Sequence, residues 1–257
     1  MPPRMPPRMN VLTGDLGNSR SKFRAWSVED GRAPRLIGSA DFDTAPGLGA
    51  QVRAWRASAP RIDAVALANV ASPAIEAELL EALAARAPDP GLAIACRAPE
   101  RVGRDRLFAA RGALELLADD AAGAIVIDAG TALTVDAVRA DRVFLGGAIA
   151  PGPALLAQAL ADGTARLPRV TPRTGVAALG RDTEEALLAG VVIGFRGAAR
   201  ELARAVAEES GLAGAPLFLT GGACGFLIDP PVFAAARHVE DLVHLGLLAA
   251  CRDSASP

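Results

Sequence analysis

Two short segments of one pattern decide the fold: Asp15-Leu16-Gly17-Asn18-Ser19 and Asp128-Ala129-Gly130-Thr131-Ala132. Each follows a short apolar run and precedes a second one, and a third apolar stretch begins roughly 20 residues further on. Glycine permits the tight turn of a hairpin, so each segment predicts the start of a three-stranded meander. A single Asp-x-Gly triplet is common by chance, whereas two copies in the same context indicate an internal duplication.

The residue types at both turns suit a ligand that carries phosphate. Glycine leaves backbone N–H groups accessible to phosphate oxygens, and the side chains of Asn18, Ser19 and Thr131 can add neutral hydrogen bonds. The carboxylates of Asp15 and Asp128 would repel phosphate, so a cation such as Mg²⁺ is expected between them. Two ordinary hairpins with an aspartate at the turn are the alternative interpretation.

Alternating strands and helices follow each meander. Strands are predicted at residues 11–16, 21–28, 36–42, 64–68, 92–96, 124–128, 132–138, 143–150 and 217–220. Helices are predicted at residues 48–57, 72–87, 106–118, 152–161, 183–209 and 241–251. This order predicts an α/β protein of two duplicated lobes, each a mixed sheet flanked by helices, at residues 9–118 and 119–257.

Composition excludes several classes of function. The 257 residues carry a formal net charge of -2 and no long basic stripe, so nucleic acid is not an expected partner. Every long apolar stretch is interrupted by Asp, Arg or Gly, so no membrane span is expected. The cysteines Cys96, Cys224 and Cys251 lie far apart, which favours a reducing, cytoplasmic compartment over a disulfide framework.

Two further features concern the N-terminal part of the chain. Residues 1–10 are polar and rich in proline, which predicts a disordered tail rather than a signal peptide, with Met9 as an alternative start. Lys22 is the single lysine of the chain, because every other basic residue is arginine. Either Lys22 has survived by chance on a strand, or a compact ammonium is needed there, for example against a phosphate.

Six motifs occur in order along the chain. They are Asp15-Leu16-Gly17-Asn18-Ser19-Arg20-Ser21-Lys22, Gly103-Arg104-Asp105-Arg106, Ile127-Asp128-Ala129-Gly130-Thr131-Ala132, Gly146-Gly147-Ala148-Ile149 with Pro151-Gly152, Gly180-Arg181-Asp182-Thr183, and Thr220-Gly221-Gly222. With them the chain resembles the type III pantothenate kinases of the acetate and sugar kinase/Hsp70/actin superfamily. The resemblance implies ribonuclease H-like lobes in the actin-like ATPase fold.

The resemblance also implies a function. It implies ATP-dependent phosphorylation of pantothenate to 4'-phosphopantothenate, the first step of coenzyme A biosynthesis. It further implies Mg²⁺ with ATP, a monovalent cation (K⁺ or NH₄⁺) and a homodimer. A regulatory binding protein of the same fold, or a kinase for another small metabolite, is the alternative.

The resemblance assigns a role to each motif residue. Asp105 is implied as the general base, and Asp128 as the ligand of the monovalent cation. The implied ATP-binding residues are Asp15, Leu16, Gly17, Asn18, Ser19, Arg20, Ser21, Lys22 and Thr131. The implied pantothenate-binding residues are Gly103, Arg104, Asp105, Arg106 and Thr183.

Asp105 also has a purely structural interpretation. It directly precedes the helix predicted at 106–118, where an aspartate is a common N-cap. Arg106 beside it would hold the carboxylate ionised in either role.

Two departures from the family pattern put substrate affinity in doubt more than the fold. Ala223-Cys224 follows the last glycine pair, where the family usually has a further Gly or Asp. The region that commonly carries an aromatic residue before Gly103 holds Cys96, and the chain contains no tyrosine.

Overall fold

The computed structural model describes residues 8–69 and 72–255. Most of the predicted N-terminal tail therefore lies outside the described residues. The exception is a correction to the prediction: residues 8–10 form the first positions of a strand and pair with a neighbouring strand.

The described residues contain ten strands and seven α-helices, together with a short 3-10 turn at Pro99–Arg101. In chain order they are β1 (Arg8–Leu16), β2 (Arg20–Glu29), β3 (Arg35–Asp43), α1 (Leu48–Ala57), β4 (Ala64–Asn69), α2 (Pro73–Leu83), β5 (Ala93–Ile94), α3 (Arg104–Leu114), β6 (Gly123–Ala129), β7 (Ala132–Arg139), β8 (Val143–Pro151), α4 (Pro153–Asp162), α5 (Thr183–Glu209), β9 (Leu217–Thr220), α6 (Gly225–Ile228), β10 (Arg237–His238) and α7 (Leu242–Ala255).

The first compact unit is built on a four-stranded sheet in the order β3-β2-β1-β4. Neighbouring strands are antiparallel except β1 and β4, which are parallel. Side chains alternate between the two faces. Phe23 and Leu12 pack with α1 and α2 on one face, whereas Val11 and Trp26 contact Leu248 of α7 on the other.

The second compact unit is built on a six-stranded sheet in the order β10-β9-β6-β7-β8-β5. Its central strand β6 is antiparallel to β7 and parallel to β9. Ile125, Ile127 and Leu219 pack against Phe195 and Ala199 of the long helix α5. The sequences of the inner strands β6 and β9 are thus mostly apolar, as expected for strands that are buried in a sheet.

The two sheets confirm the duplication in detail. The strand order β3-β2-β1-β4 matches β8-β7-β6-β9, with the same parallel and antiparallel pairs. The pairing register shifts between Ala25 and Trp26 in one sheet and between Ala137 and Val138 in the other. The two bulges occupy equivalent positions, so the units share strand irregularities as well as topology.

The C-terminal helix α7 does not belong to the lobe to which the sequence prediction assigned it. The prediction assigned all of residues 119–257 to the second lobe, but α7 groups with the first unit, which comprises 8–93, 97–116 and 241–255 of the described residues. The reason is packing, because α7 contacts α3, β1 and β4. The other unit comprises residues 94–96 and 117–240.

Two glycines allow α3 and α7 to pack backbone to backbone. A Cβ on Gly112 would overlap the carbonyl oxygen of Leu242, and a Cβ on Gly246 would overlap that of Phe108. Small residues at a helix crossing remove the side chains that otherwise hold two backbones apart. Both glycines are therefore required by the contact that brings α7 into the first unit.

Gly246→Ala should destabilise the protein, because the added methyl group must push α7 away from α3. Overpacking of this kind costs about 1–3 kcal/mol, and contact with backbone places this site at the upper end. Urea unfolding of the whole chain measures the change. The matched control is Gly197→Ala in α5, where a Cβ has no neighbour within 4 Å. An equal loss of stability in both variants would contradict the close crossing.

Candidate active site

The first candidate segment is the turn between β1 and β2. The Gly17 N–H donates to the Arg20 carbonyl (3.1 Å), which closes the turn. Thr44, just after β3, holds it from the side: its hydroxyl donates to the Gly17 carbonyl (2.8 Å) and its N–H donates to the Ser19 carbonyl (3.0 Å). Asn18, Ser19 and Arg20 remain exposed at the tip.

A row of three charged residues crosses the sheet beside this turn. Lys22 of β2 lies directly opposite Asp15 of β1 and Asp41 of β3. Residues opposite one another on neighbouring strands share a face and have Cβ atoms about 4.5–5.5 Å apart. The single lysine of the chain thus lies between two carboxylates at the same end of the sheet as the turn.

The second candidate segment is the turn between β6 and β7, where glycines from distant motifs converge. The Gly152 N–H donates to the Thr131 carbonyl (2.9 Å), and a Cβ on Gly152 would overlap the Gly130 carbonyl. Gly221 has a φ of 97°, and a Cβ there would overlap Oδ1 of Asp128. Glycine is required at both positions because other backbone or side-chain atoms already fill the space.

The Gly146-Gly147 pair serves a different purpose from Gly152 and Gly221. It lies within β8, opposite Ala137 and Asp136 of β7. A Cβ on Gly147 would overlap the Val135 carbonyl, so this glycine permits close strand pairing.

Asp128 has a threonine directly opposite it on each of the two neighbouring strands. It lies opposite Thr134 of β7 on one side and Thr220 of β9 on the other. The Thr134 hydroxyl oxygen is buried, and no hydrogen-bond partner for it is found among the described residues. An unsatisfied buried hydroxyl beside a carboxylate fits a site for a hard cation, which prefers oxygen ligands.

Asp105 lies in the first turn of α3, where Gly103 is the N-cap. The alternative interpretation of Asp105 as the cap is therefore wrong. Its carboxylate accepts a hydrogen bond from the Arg106 N–H (2.8 Å). Burial raises the pKa of the Asp105 carboxyl, although that hydrogen bond and the positive charge of Arg106 act in the opposite direction.

Arg104 is engaged in contacts within its own unit. Its guanidinium donates to the Pro88 carbonyl and lies over the Phe108 ring, 5.3 Å from the centroid. A cation over an aromatic face is held in place by the ring quadrupole. These contacts fix the direction of the Gly103–Arg106 segment at the start of α3.

Thr183 is the exposed first residue of α5. The cap of that helix is Asp182, whose carboxylate accepts from the Glu185 N–H (2.8 Å). Glu185 in turn accepts from the Arg181 N–H (2.7 Å), so the two carboxylates satisfy neighbouring backbone donors. Because Asp182 is the cap of α5, the Thr183 hydroxyl lies outside the cap.

No helix among residues 8–69 and 72–255 is long and apolar enough to cross a bilayer. The same residues contain no group of three or more His, Cys, Asp or Glu side chains placed to hold a metal ion.

Comparison with known proteins decides the family. The model of the type III pantothenate kinase family matches residues 11–205. The type III pantothenate kinase of Halorhodospira halophila is 37% identical over 231 residues, covering 83% of this chain and 87% of that protein. The corresponding protein of Chromobacterium violaceum is 36% identical over 251 residues, covering 91% and 96%.

The chain belongs to the type III pantothenate kinases. Its activity is therefore the ATP-dependent phosphorylation of pantothenate in coenzyme A biosynthesis, and the regulatory alternative is not favoured.

Solved structures confirm the actin-like ATPase fold of this pantothenate kinase. A protein described as a Baf family transcriptional activator from Campylobacter jejuni superposes with a TM-score of 0.62 at 20% identity, covering 95% of this chain and 98% of that one. An archaeal actin homologue gives a TM-score of 0.51 at 11% identity, covering 95% and 100%. A glucokinase from an Antarctic psychrotroph gives 0.51 at 13% identity, covering 95% and 99%.

Sequence reasoning missed several residues that lie beside the candidate segments. Thr44 follows β3 and Thr134 lies inside β7, and both reach their positions only through strand register. Arg24 is one arginine among many in the sequence, but in the structure it is buried and bonded to two aspartates. Arg24 lies two residues after Lys22, so both side chains lie on one face of β2. This spacing was the signal in the sequence that could have identified Arg24.

Proposed function

We propose that Asp105 is the general base of the pantothenate kinase reaction. It would accept the proton of the primary hydroxyl of pantothenate as that oxygen attacks the γ-phosphorus of ATP. The observation that supports this role is a half-buried carboxyl with a raised pKa at the start of α3. A base is most effective when its pKa approaches the working pH, and burial moves this group in that direction.

We assign the remaining residues of the Gly103–Arg106 segment and Thr183 to pantothenate. Arg106 carries the charge that suits a carboxylate of the substrate, and Arg104 holds the segment through Pro88 and Phe108. The exposed Thr183 hydroxyl is available for a neutral hydrogen bond.

We assign the turn from Asp15 to Lys22, together with Thr131, to ATP. The exposed tip offers backbone N–H groups and small polar side chains to phosphate oxygens, and Lys22 offers an ammonium. Mg²⁺ bound with ATP would neutralise phosphate charge, and the carboxylate of Asp15 would hold its water ligands. In phosphoryl transfer such positioning and charge neutralisation supply most of the catalysis.

We assign the monovalent cation, K⁺ or NH₄⁺, to Asp128. The unsatisfied Thr134 hydroxyl opposite Asp128 supports this assignment, because it supplies a second oxygen ligand on the same face of the sheet. The cation would balance the Asp128 charge near the phosphates of ATP.

We also propose a homodimer that works in the cytoplasm. Helices α4 and α5 border an apolar cavity of about 350 Å³ whose lining includes Leu160, and Ile149 and Ile193, each next in sequence to a lining residue, are 64% and 40% exposed. Exposed apolar side chains beside an apolar cavity suit a second copy of the chain. Cys96, Cys224 and Cys251 are free thiols, which suits a reducing compartment. Sedimentation equilibrium tests the dimer.

Asp105→Asn should lower turnover by about 10²–10⁴-fold, the usual contribution of a general base, because the amide cannot accept the proton. Binding of a non-hydrolysable ATP analogue, measured by calorimetry, should remain. The wild-type kcat/KM should fall on acidification with a midpoint above about 3.9, the ordinary pKa of an aspartate. kcat/KM falls rather than rises on acidification because a protonated Asp105 can no longer accept the proton of the substrate hydroxyl.

Asp120→Asn, an exposed aspartate outside the motifs, is the matched control and should keep wild-type turnover. Unchanged turnover of Asp105→Asn, with pantothenate saturating, would reject the base assignment.

K⁺ should raise the thermal stability of the ATP-free chain relative to choline at equal ionic strength. The gain is about 1.4 kcal/mol when K⁺ is at ten times its dissociation constant. Asp128→Asn and Thr134→Val should each reduce that gain, because each removes an oxygen ligand or its charge. Asp120→Asn again serves as control. An identical response to K⁺ in all four proteins would contradict a cation site at Asp128.

A further inference from the structure

Arg24 is a buried cation outside the motifs described above. Only 5% of the residue is exposed. Its Nε donates to Oδ1 of Asp241 (2.9 Å), and its Nη1 donates to Oδ1 of Asp41 (2.6 Å) and to the Phe23 carbonyl (3.0 Å). One guanidinium therefore joins β2 to β3 and to the residue before α7, all within the first unit.

A network of buried hydrogen bonds surrounds Arg24. Thr13 lies opposite it on β1, and the Thr13 hydroxyl donates to the Arg24 carbonyl (3.2 Å). The same hydroxyl accepts from Nε1 of Trp26 (2.9 Å) and lies 2.8 Å from Nδ1 of the fully buried His244. Buried hydrogen bonds of this kind hold a strand segment in a single conformation.

The charges around His244 agree with a permanently cationic Arg24. Burial lowers the pKa of His244 well below its ordinary value, and the positive charges of Arg24 and Lys22 act in the same direction. Burial also acts to lower the pKa of Arg24, but the Asp41 and Asp241 carboxylates outweigh it and raise that pKa. His244 is therefore neutral, and the cations of this face are Arg24 and Lys22.

Stability alone does not account for Arg24. A buried ion pair is often no more stabilising than apolar residues that replace all of its partners, so apolar residues in place of Arg24, Asp41 and Asp241 together would serve the core as well. The same face already packs Val11 and Trp26 against Leu248. The position of Arg24 relative to Lys22 suggests another reason.

Lys22 lies two residues before Arg24 on the same face and directly opposite Asp41. Asp41 is thus within reach of two cations, and Arg24 is the one bonded to it. Among the described residues, no hydrogen bond or ion pair of the Lys22 side chain is found. If Arg24 were neutral, the Asp41 carboxylate would be left to pair with the Lys22 ammonium.

We propose that Arg24 is a positioning residue for the nucleotide: it holds the Asp41 carboxylate and thereby leaves the Lys22 ammonium for the phosphates of ATP. The inference rests on the proposed function in one respect, the assignment of Lys22 to phosphate. Arg24 itself touches neither ATP nor pantothenate in this account, so its loss acts on ATP affinity rather than on the chemical step.

Arg24→Gln should weaken binding of a non-hydrolysable ATP analogue about ten-fold and raise the KM for ATP similarly, with kcat changed less than about two-fold. Arg24→Gln combined with Asp41→Asn should restore affinity to within about three-fold of wild type, because the amide no longer competes for Lys22. A merely structural role would lower stability and kcat as well, whereas positioning of Lys22 confines the loss to ATP affinity. Arg24→Met, of similar volume, replaces Arg24→Gln if the latter does not fold.

The single lysine supplies an independent readout. A chain labelled with ¹³C and ¹⁵N only in lysine gives a single Cε–Nζ correlation signal by NMR, from Lys22. Addition of the ATP analogue at a fixed sub-saturating concentration should shift this signal in the wild type, less in Arg24→Gln, and again fully in the double variant. Arg32→Gln, which removes the exposed pair with Glu29 at the far end of β2, is the matched control.

Three results would overturn the inference, and the third is distinguishable from the first two. If Lys22→Met weakens ATP binding but Arg24→Gln does not, or if Asp41→Asn fails to restore affinity, Arg24 does not position Lys22. If Lys22→Met leaves ATP affinity unchanged, the assignment of Lys22 to phosphate fails as well.

Discussion

The register of two antiparallel strand pairs is the constraint on which the rest of the site depends. It sets Asp15 opposite Lys22 in one sheet and Asp128 opposite Thr134 in the other. A shift of a single residue would move each of these side chains to the opposite face, among the apolar residues that pack against helices. The buried alternation of Leu12, Leu16 and Phe23 specifies the first register, and each tight glycine turn keeps the two strands aligned.

The row of residues that contains Asp15 and Lys22 and the equivalent row that contains Asp128 and Thr134 carry different charges. The turn after β1 is three residues long and the turn after β6 is two, so Lys22 and Thr134 occupy equivalent positions although their sequence motifs align differently. Asp15 thus has a cation of the chain opposite it, whereas Asp128 has a neutral hydroxyl. In our account the first row supplies its own ammonium, held available by Arg24, and the second row takes its positive charge from solution as K⁺ or NH₄⁺.

Much of this arrangement was predictable from local sequence. The Asp-x-Gly turns, the apolar runs around them and the limits of α5 and β9 each depend on neighbouring residues, and the structure agrees with them. The attachment of α7 to the first unit could not be predicted, because it depends on Gly112 and Gly246 meeting across 134 positions of sequence. The same holds for Thr44, Arg24 and Thr134, whose contacts are set by strand register and by packing rather than by a local motif.

The most direct test of the account is to incubate the whole chain with ATP, Mg²⁺, K⁺ and pantothenate and to follow the products by ³¹P NMR. The account predicts a new phosphate monoester on the primary hydroxyl of pantothenate, formed in equal amount to ADP by the wild type and about 10²–10⁴-fold more slowly by Asp105→Asn. Intact binding of an ATP analogue without any phosphorylated pantothenate from the wild type would contradict it.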